Sequence, residues 1–267
     1  MSLPSDDRDN NRESEHDLQR GARSVQKELE HWFQSNIGRN LIASQRPVIE
    51  HAIRRQFGVH LAEIGVSHRI PVGNSSNLGH HFHVLPAWEP DMPNNVLVSD
   101  SNEIAIDHDM VDLVILHHAL DFSADPHQTL REASRILKSS GNLLVVGFNP
   151  FSLWGIRRLL SRTRAAPWNN RFISGSRVED WLNLLDFKVS GLQYHFYAPP
   201  VNNQRAINGF RWLDKILNTK VPLGAYYTIM AQKQVGGRIR IAPRWRNKAK
   251  VVGLPLANRV DAKKTTD

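Results

Sequence analysis

The sequence predicts an α/β protein: a mostly parallel sheet with helices on both faces. Three observations predict it. Val96–Asp100 and Val111–Leu116 are short apolar runs, each carrying an acid. Residues 126–138 place apolar side chains at helical spacing, and Gly141 with Asn142 then turns the chain. Leu143–Phe148 is a further apolar run. Strand and helix alternating over short connections give parallel strands. Ligands of such sheets bind at the carboxyl ends of the strands, where Asp100, His117, His118 and Asn149 all stand.

The remaining elements follow in chain order. Residues 1–22 are polar and too poor in apolar side chains to repay ordering, so disorder is expected there. A helix begins near Ser24, with Val25, Leu29, Trp32 and Phe33 on one stripe, and Gly38 is its expected end. A second helix, about Leu41–Phe57, aligns Ile42, Ile49 and Ile53, with Pro47 in its first turns or breaking it. Val59–Gly65 is the first strand. A long polar connection (67–81) with a short helix at most leads to the second strand, His81–Leu85, and a proline-rich loop to the third. Arg177–Leu185 is an amphipathic helix, Lys188–Tyr197 and Ala225–Lys233 are strands, and Arg205–Leu217 is an inserted helix. The main domain therefore spans 23–235, with no internal repeat.

Bulk properties narrow the chemistry. The chain has 267 residues and no cysteine, which removes disulfides, thiolate catalysis and cysteine-ligated zinc. No apolar run reaches the roughly 18 residues of a membrane span, and the polar start carries no apolar signal segment, so a cytoplasmic location is expected. The net charge of +8 is uneven. Asp6, Asp7, Asp9, Glu13, Glu15 and Asp17 make the start acidic. Residues 236–267 form a basic tail carrying Arg238, Arg240, Arg244, Arg246, Lys248 and Lys250 among others. The tail is either a solvated end or a weak nucleic-acid contact. Of the thirteen histidines, His81 and His83 share a strand face, but no third ligand follows at helical spacing, so no metal is expected.

The run from Asp109 to Pro150, DxVDLVILHHALDFxxDPHQTLREASRILKxxGNLLVVGFNP, resembles the second half of class I S-adenosylmethionine-dependent methyltransferases of the type 11 group. The closing FNPFSLWGIRRL (148–159) is similar to a bacterial branch of methyltransferase-like proteins. The resemblance covers roughly residues 50–235. It implies a Rossmann-like fold with a seven-stranded sheet whose last strand is antiparallel, S-adenosylmethionine as cofactor, and methyl transfer to an acceptor the sequence does not name.

It also implies site residues. The family's cofactor loop is an acid followed by Gly-x-Gly-x-Gly. Here Glu63, Gly65 and Ser67 match it in part, and Arg69 stands where the last glycine is usual. The acid that usually ends the second strand is missing, and Glu89 is the first to follow. Asp100 and Ser101 match the adenine-binding pair, although a turn is the commoner use of such residues. His117 and His118 match the positions facing sulfonium and substrate, and either is a candidate base. Strand alternation allows one of the two at most to point into the cleft. Asn149 and Trp154 are expected to border the acceptor pocket, with the helix SLWGIRRLLSRTR as its lid and arginine-rich face. The alternative is a catalytically inactive methyltransferase-like binding or scaffold protein, RNA-associated through its tail. Retained polar residues at three strand ends favour the enzyme; Arg69 and the missing acid favour the scaffold.

Overall fold

In the computed structural model the described residues are 24, 26–161, 165, 167–202, 205, 207, 209–210, 216–217 and 221–234. The expected acidic segment 1–22, the basic tail 236–267, Arg162, Arg164 and most of the inserted helix 205–217 lie outside them.

The helix α1 (26–33) turns directly into α2 (Asn36–Ile53), which Ser35 caps by accepting from Gly38 N. Gly38 therefore opens α2 and does not end α1. A Cβ there would lie 2.4 Å from Trp32 O, so only glycine lets the two helices meet so closely. Pro47 sits inside α2 without ending it.

The sheet consists of β1 (His60–Ile64), β2 (His80–Leu85), β3 (Val96–Val98), β4 (Val111–His117), β5 (Leu137–Phe148), β6 (Phe187–His195) and β7 (Tyr226–Lys233), in the order β3-β2-β1-β4-β5-β7-β6. Six strands run parallel, and β7 is antiparallel to both its neighbours, β5 and β6. The short α3 (Ala119–Phe122), α4 (Pro126–Ile136), α5 (Leu153–Leu160) and α6 (Gly175–Leu184) complete the order.

Both faces are covered, so β4 is buried along nearly its whole length. On one face Leu61, Leu113, Ile115 and Leu144 pack against Leu29, Phe33, Leu41 and Ile49 of α1 and α2. On the other, Ala62, Val114, Leu116 and Val145 pack against Leu130 and Ala133 of α4 and Val178 and Leu182 of α6. Each such leucine or isoleucine, fully buried, stabilises the fold by about 1.5–3 kcal/mol.

Two expectations need correction. The helix α4 stops at Ile136, and β5 starts at Leu137, six residues before the expected strand. Asn142 is already paired with Leu113 and Gln232 rather than turning the chain. The irregularity is absorbed at Ser140, with φ 66, and by a register shift between Val111 and Leu113. The pair Glu132–Arg135, which helical spacing alone reads as a surface pair, is partly buried instead. Arg135 donates to Ile104 O and Ile106 O while Glu132 accepts from Ile104 N, which clamps the segment after β3 onto α4.

No helix forms in the crossover from β1 to β2 or in the loop from β2 to β3. In that half of the sheet α1 and α2, which precede β1, cover one face in place of crossover helices.

Candidate functional site

The chain leaves β1 toward β2 and β3 and returns on the other side as β4, so the sheet's switch point lies between the carboxyl ends of β1 and β4. Clefts of open α/β sheets form at such points. Gly65 follows β1 and His117 ends β4; a Cβ on Gly65 would lie 3.6 Å from His117 Cβ.

Glu63 is buried, and both its oxygens are in use. Oε1 accepts from Val72 N at 2.9 Å, and Oε2 accepts from Gly73 N at 2.9 Å and meets His81 Nε2 at 3.0 Å. Burial alone would raise its pKa, but the His81 bond, the nearby His83 and the Val72 amide together hold it below the ordinary glutamate value. Glu63 therefore folds the crossover back over β1 and β2.

The two histidines form one buried chain with α2 and α3. His117 Nε2 lies 2.9 Å from Gln45 Oε1, Gln45 Nε2 lies 2.8 Å from His118 Nε2, and His118 Nδ1 lies 2.8 Å from Asp121 Oδ2. That carboxylate oxygen also accepts from Phe148 N at 3.0 Å. The amide fixes the direction. Its NH2 donates to His118 Nε2, so His118 carries its proton on Nδ1 and donates to Asp121. Its oxygen accepts from His117 Nε2–H, which leaves a lone pair on His117 Nδ1. That atom is buried and has no hydrogen-bond partner among the described residues. Burial lowers both imidazoles to about 3 and pushes the Asp121 carboxyl up, so both rings are neutral.

Strand alternation predicts the two rings on opposite faces, yet both pack on Phe33. His118 has left the strand with φ 56, a left-handed conformation uncommon outside glycine. Such strain persists where surrounding contacts enforce it, and here Gln45, Asp121 and Phe148 do so.

The remaining sequence-predicted residues divide. Ser67 is buried beside Gly65 and accepts from Arg69 N. Asp100 and Ser101 lie just beyond β3, where Asp100 Oδ1 accepts from Asn102 N in a turn. Asn149 is fully buried; its amide donates to Pro222 O and Gly224 O, tying the end of β5 to the approach to β7. Trp154 is buried, with Nε1 donating to Ala198 O. The outward side of α5 exposes Leu153, Ile156, Leu159 and Leu160, while Arg157 and Arg158 turn back over Trp168 and Phe172.

Arg69 bridges two acids from different segments. It pairs with Glu30 of α1 at 3.1 Å and with Glu89 at 2.6 Å, so Glu89 does come round to the first loop, but holding a cation. Gln26 of α1 donates to Val66 O at 2.7 Å. Between Gln26, Glu30, Val66, Leu85 and Glu89 remains a gap of about 10 Å³, far below the roughly 300–1,000 Å³ of a small-molecule pocket.

Gln26, Gln45 and Asp121 were missed by sequence reasoning. Gln45 carried a signal, as a polar residue four positions from both Leu41 and Ile49 on the apolar stripe of α2.

Residues 83–145 match the family model described as a methyltransferase domain. Among curated proteins, YafS of Escherichia coli K12, described as uncharacterised, is 32% identical over 194 residues, covering 67% of this chain and 70% of its own. Among solved structures, a SAM-dependent methyltransferase of Thermotoga maritima, described as a possible histamine N-methyltransferase, superposes with a TM-score of 0.56 at 20% identity, covering 78% of this chain and 95% of that one. A chain from the complex between the Haloferax volcanii Trm112 methyltransferase activator and a methyltransferase gives 0.55 at 16% identity, covering 80% and 99%.

Proposed function

We propose that this chain, which belongs to the class I S-adenosylmethionine-dependent methyltransferases, transfers the cofactor's methyl group to an acceptor presented beside the carboxyl end of β4. The observation carrying this reading is the lone pair left on His117 Nδ1 beside Gly65 at the switch point of the sheet.

The donor set suits the cofactor. Gly65 and Ser67 offer a backbone that a ligand can approach closely. Asp100 has one carboxylate oxygen outside its turn, next to Ser101, for the adenine end. Room is made when α1 lifts, breaking Glu30–Arg69 and Gln26–Val66 together. S-adenosylmethionine supplies an electrophilic methyl group on a sulfonium, so the protein's task is mainly alignment.

His117 is the group positioned to accept a hydrogen bond from the acceptor's N–H or O–H and so orient its lone pair. With a pKa of about 3 it is a weak base, suited to orienting rather than deprotonating. His118 acts through Gln45, fixing the tautomer of His117, and Asp121 fixes that of His118. Glu63 contributes by shaping the loop. Asn149 and Trp154, tied to Pro222, Gly224 and Ala198, hold the frame on which α5 borders the acceptor.

Calorimetric titration with S-adenosylhomocysteine tests the reading. A dissociation constant below about 100 μM, roughly 5.5 kcal/mol, is expected. Neither heat nor thermal shift at millimolar ligand would leave a fold kept as a binding scaffold, with Arg69 closing its former cofactor mouth.

A further inference from the structure

Glu63, His81 and His83 form a compact ligand set under the first crossover, outside the switch-point cleft. Glu63 and His83 are directly paired in the β1–β2 register, and His81, two residues earlier, shares their face. One ligand atom from each of the three lies within 4.8 Å of the others. Glu63 Oε2 is 3.0 Å from His81 Nε2 and 3.9 Å from His83 Nδ1. Donor atoms around a tetrahedral zinc ion at about 2.0–2.2 Å stand about 3.3 Å apart, between those two separations. The third ligand comes from a neighbouring strand, which is why helical spacing gave no sign of it.

Independent features support a built site. The Val72 and Gly73 amides orient the Glu63 carboxylate, as outer partners orient a metal-ligating group. A Cβ on Gly73 would lie 3.0 Å from Glu63 Oε2 and 3.1 Å from His81 Nε2, so glycine keeps the spot clear. His68, in the same loop, has a buried Nδ1 without a hydrogen-bond partner among the described residues.

We propose that Glu63, His81 and His83 bind one divalent first-row transition ion, and that the ion fastens the helix-free crossover 65–79 to β1 and β2. Two imidazoles and a carboxylate select zinc-like ions over magnesium or calcium, which take oxygen ligands. The proposal shares only Glu63 with the cofactor reading, where that residue shapes the loop, and its readout involves neither methyl donor nor acceptor.

The test uses the full chain, stripped with a chelator and titrated with zinc against a chromophoric competitor. One ion per chain is expected, with a dissociation constant below about 1 μM and a rise in Tm. His81→Gln and His83→Gln should each weaken binding by more than about 100-fold, beyond the 10–100-fold typical of losing an outer partner. His80→Gln, which removes the exposed His60–His80 contact at 3.3 Å, should leave affinity unchanged. In the wild-type chain, imidazole NMR signals of His81 and His83 should move on zinc addition while those of His60 and His80 stay, a readout independent of how the variants fold. Absent binding at 100 μM zinc, affinity unchanged in the double variant of His81 and His83, or shifts confined to His60 and His80 overturn the proposal.

Discussion

Gln45 Oε1 and His117 Nε2 lie 2.9 Å apart in the core although 72 residues separate them in the chain. One amide thus satisfies two imidazoles that belong to another layer of the fold. Gln45→Leu removes both partners at once and leaves His117 Nε2–H and His118 Nε2 buried without bonds. A buried unsatisfied polar group costs about 1–3 kcal/mol, so urea denaturation should show a loss of roughly 2–4 kcal/mol. A loss under 1 kcal/mol would mean the chain of bonds is not formed.

Asp121 tests the direction of that chain. Asn at this position keeps an oxygen to accept from His118 Nδ1–H and Phe148 N, whereas Leu offers none. Asp121→Asn should therefore cost well under half of what Asp121→Leu costs, and the latter should reach about 2–4 kcal/mol. Equal losses would show that the oxygen of Asp121 does not carry the bonds to His118 Nδ1 and Phe148 N.

Arg69 should matter for access more than for stability. Its side chain is 42% exposed, and surface pairs of this kind contribute about 0–1 kcal/mol. Arg69→Ala should leave Tm within a few degrees and speed association of S-adenosylhomocysteine in stopped-flow measurements. Unchanged association would show that its pairing with Glu30 and Glu89 does not gate the cleft.

Gly155 stands where α5 leaves the β5 loop, and a Cβ there would fall 1.8 Å from Pro150 O. Because the obstacle is backbone, relief requires α5 to shift. Gly155→Ala should lower stability by about 1–3 kcal/mol, as overpacking does, and should move the Trp154 indole off Ala198 O, visible in Trp fluorescence.

Acid should destabilise the fold before the carboxylates titrate. Burial holds His117 and His118 at about 3 and His195 at about 4, against about 6.5 in an unfolded chain. Their contribution is complete above about pH 6.5. Below it the unfolded chain takes up protons that the folded one refuses, at up to about 1.4 kcal/mol per pH unit for each histidine. Asp121 works the other way, since its raised carboxyl contributes most in acid and less as pH climbs. With His83 also lowered by burial, four histidines against one carboxyl leave a falling Tm from about pH 6.5 toward 4, and His195→Gln should make that slope shallower.

The strands and their order of hydrophobicity were readable because each is a short apolar run between turn residues, and the ends carrying Gly65, Asp100 and His117 followed from them. The β5 start was not, since Lys138-Ser139-Ser140 is polar and reads as the end of a helix; pairing with β4 and β7 overrides that preference. The crossover from β1 was rightly read as polar and poor in helix. Its anchor on Glu63 was hidden because the bonds run to backbone amides at Val72 and Gly73, which no side-chain pattern records. The histidine pair was visible, but not the left-handed turn at His118 that swings both rings to one side. Such a turn is enforced by Gln45 and Asp121, residues that periodicity treats as unrelated.

The place of β7 has a consequence for synthesis. The last strand among the described residues is inserted between two earlier ones, β5 and β6. Until Tyr226–Lys233 has emerged, the nascent chain holds two open ribbons with unpaired amides, the kind of edge that recruits other chains. Premature termination before Tyr226 therefore yields a sticky fragment rather than a smaller working one.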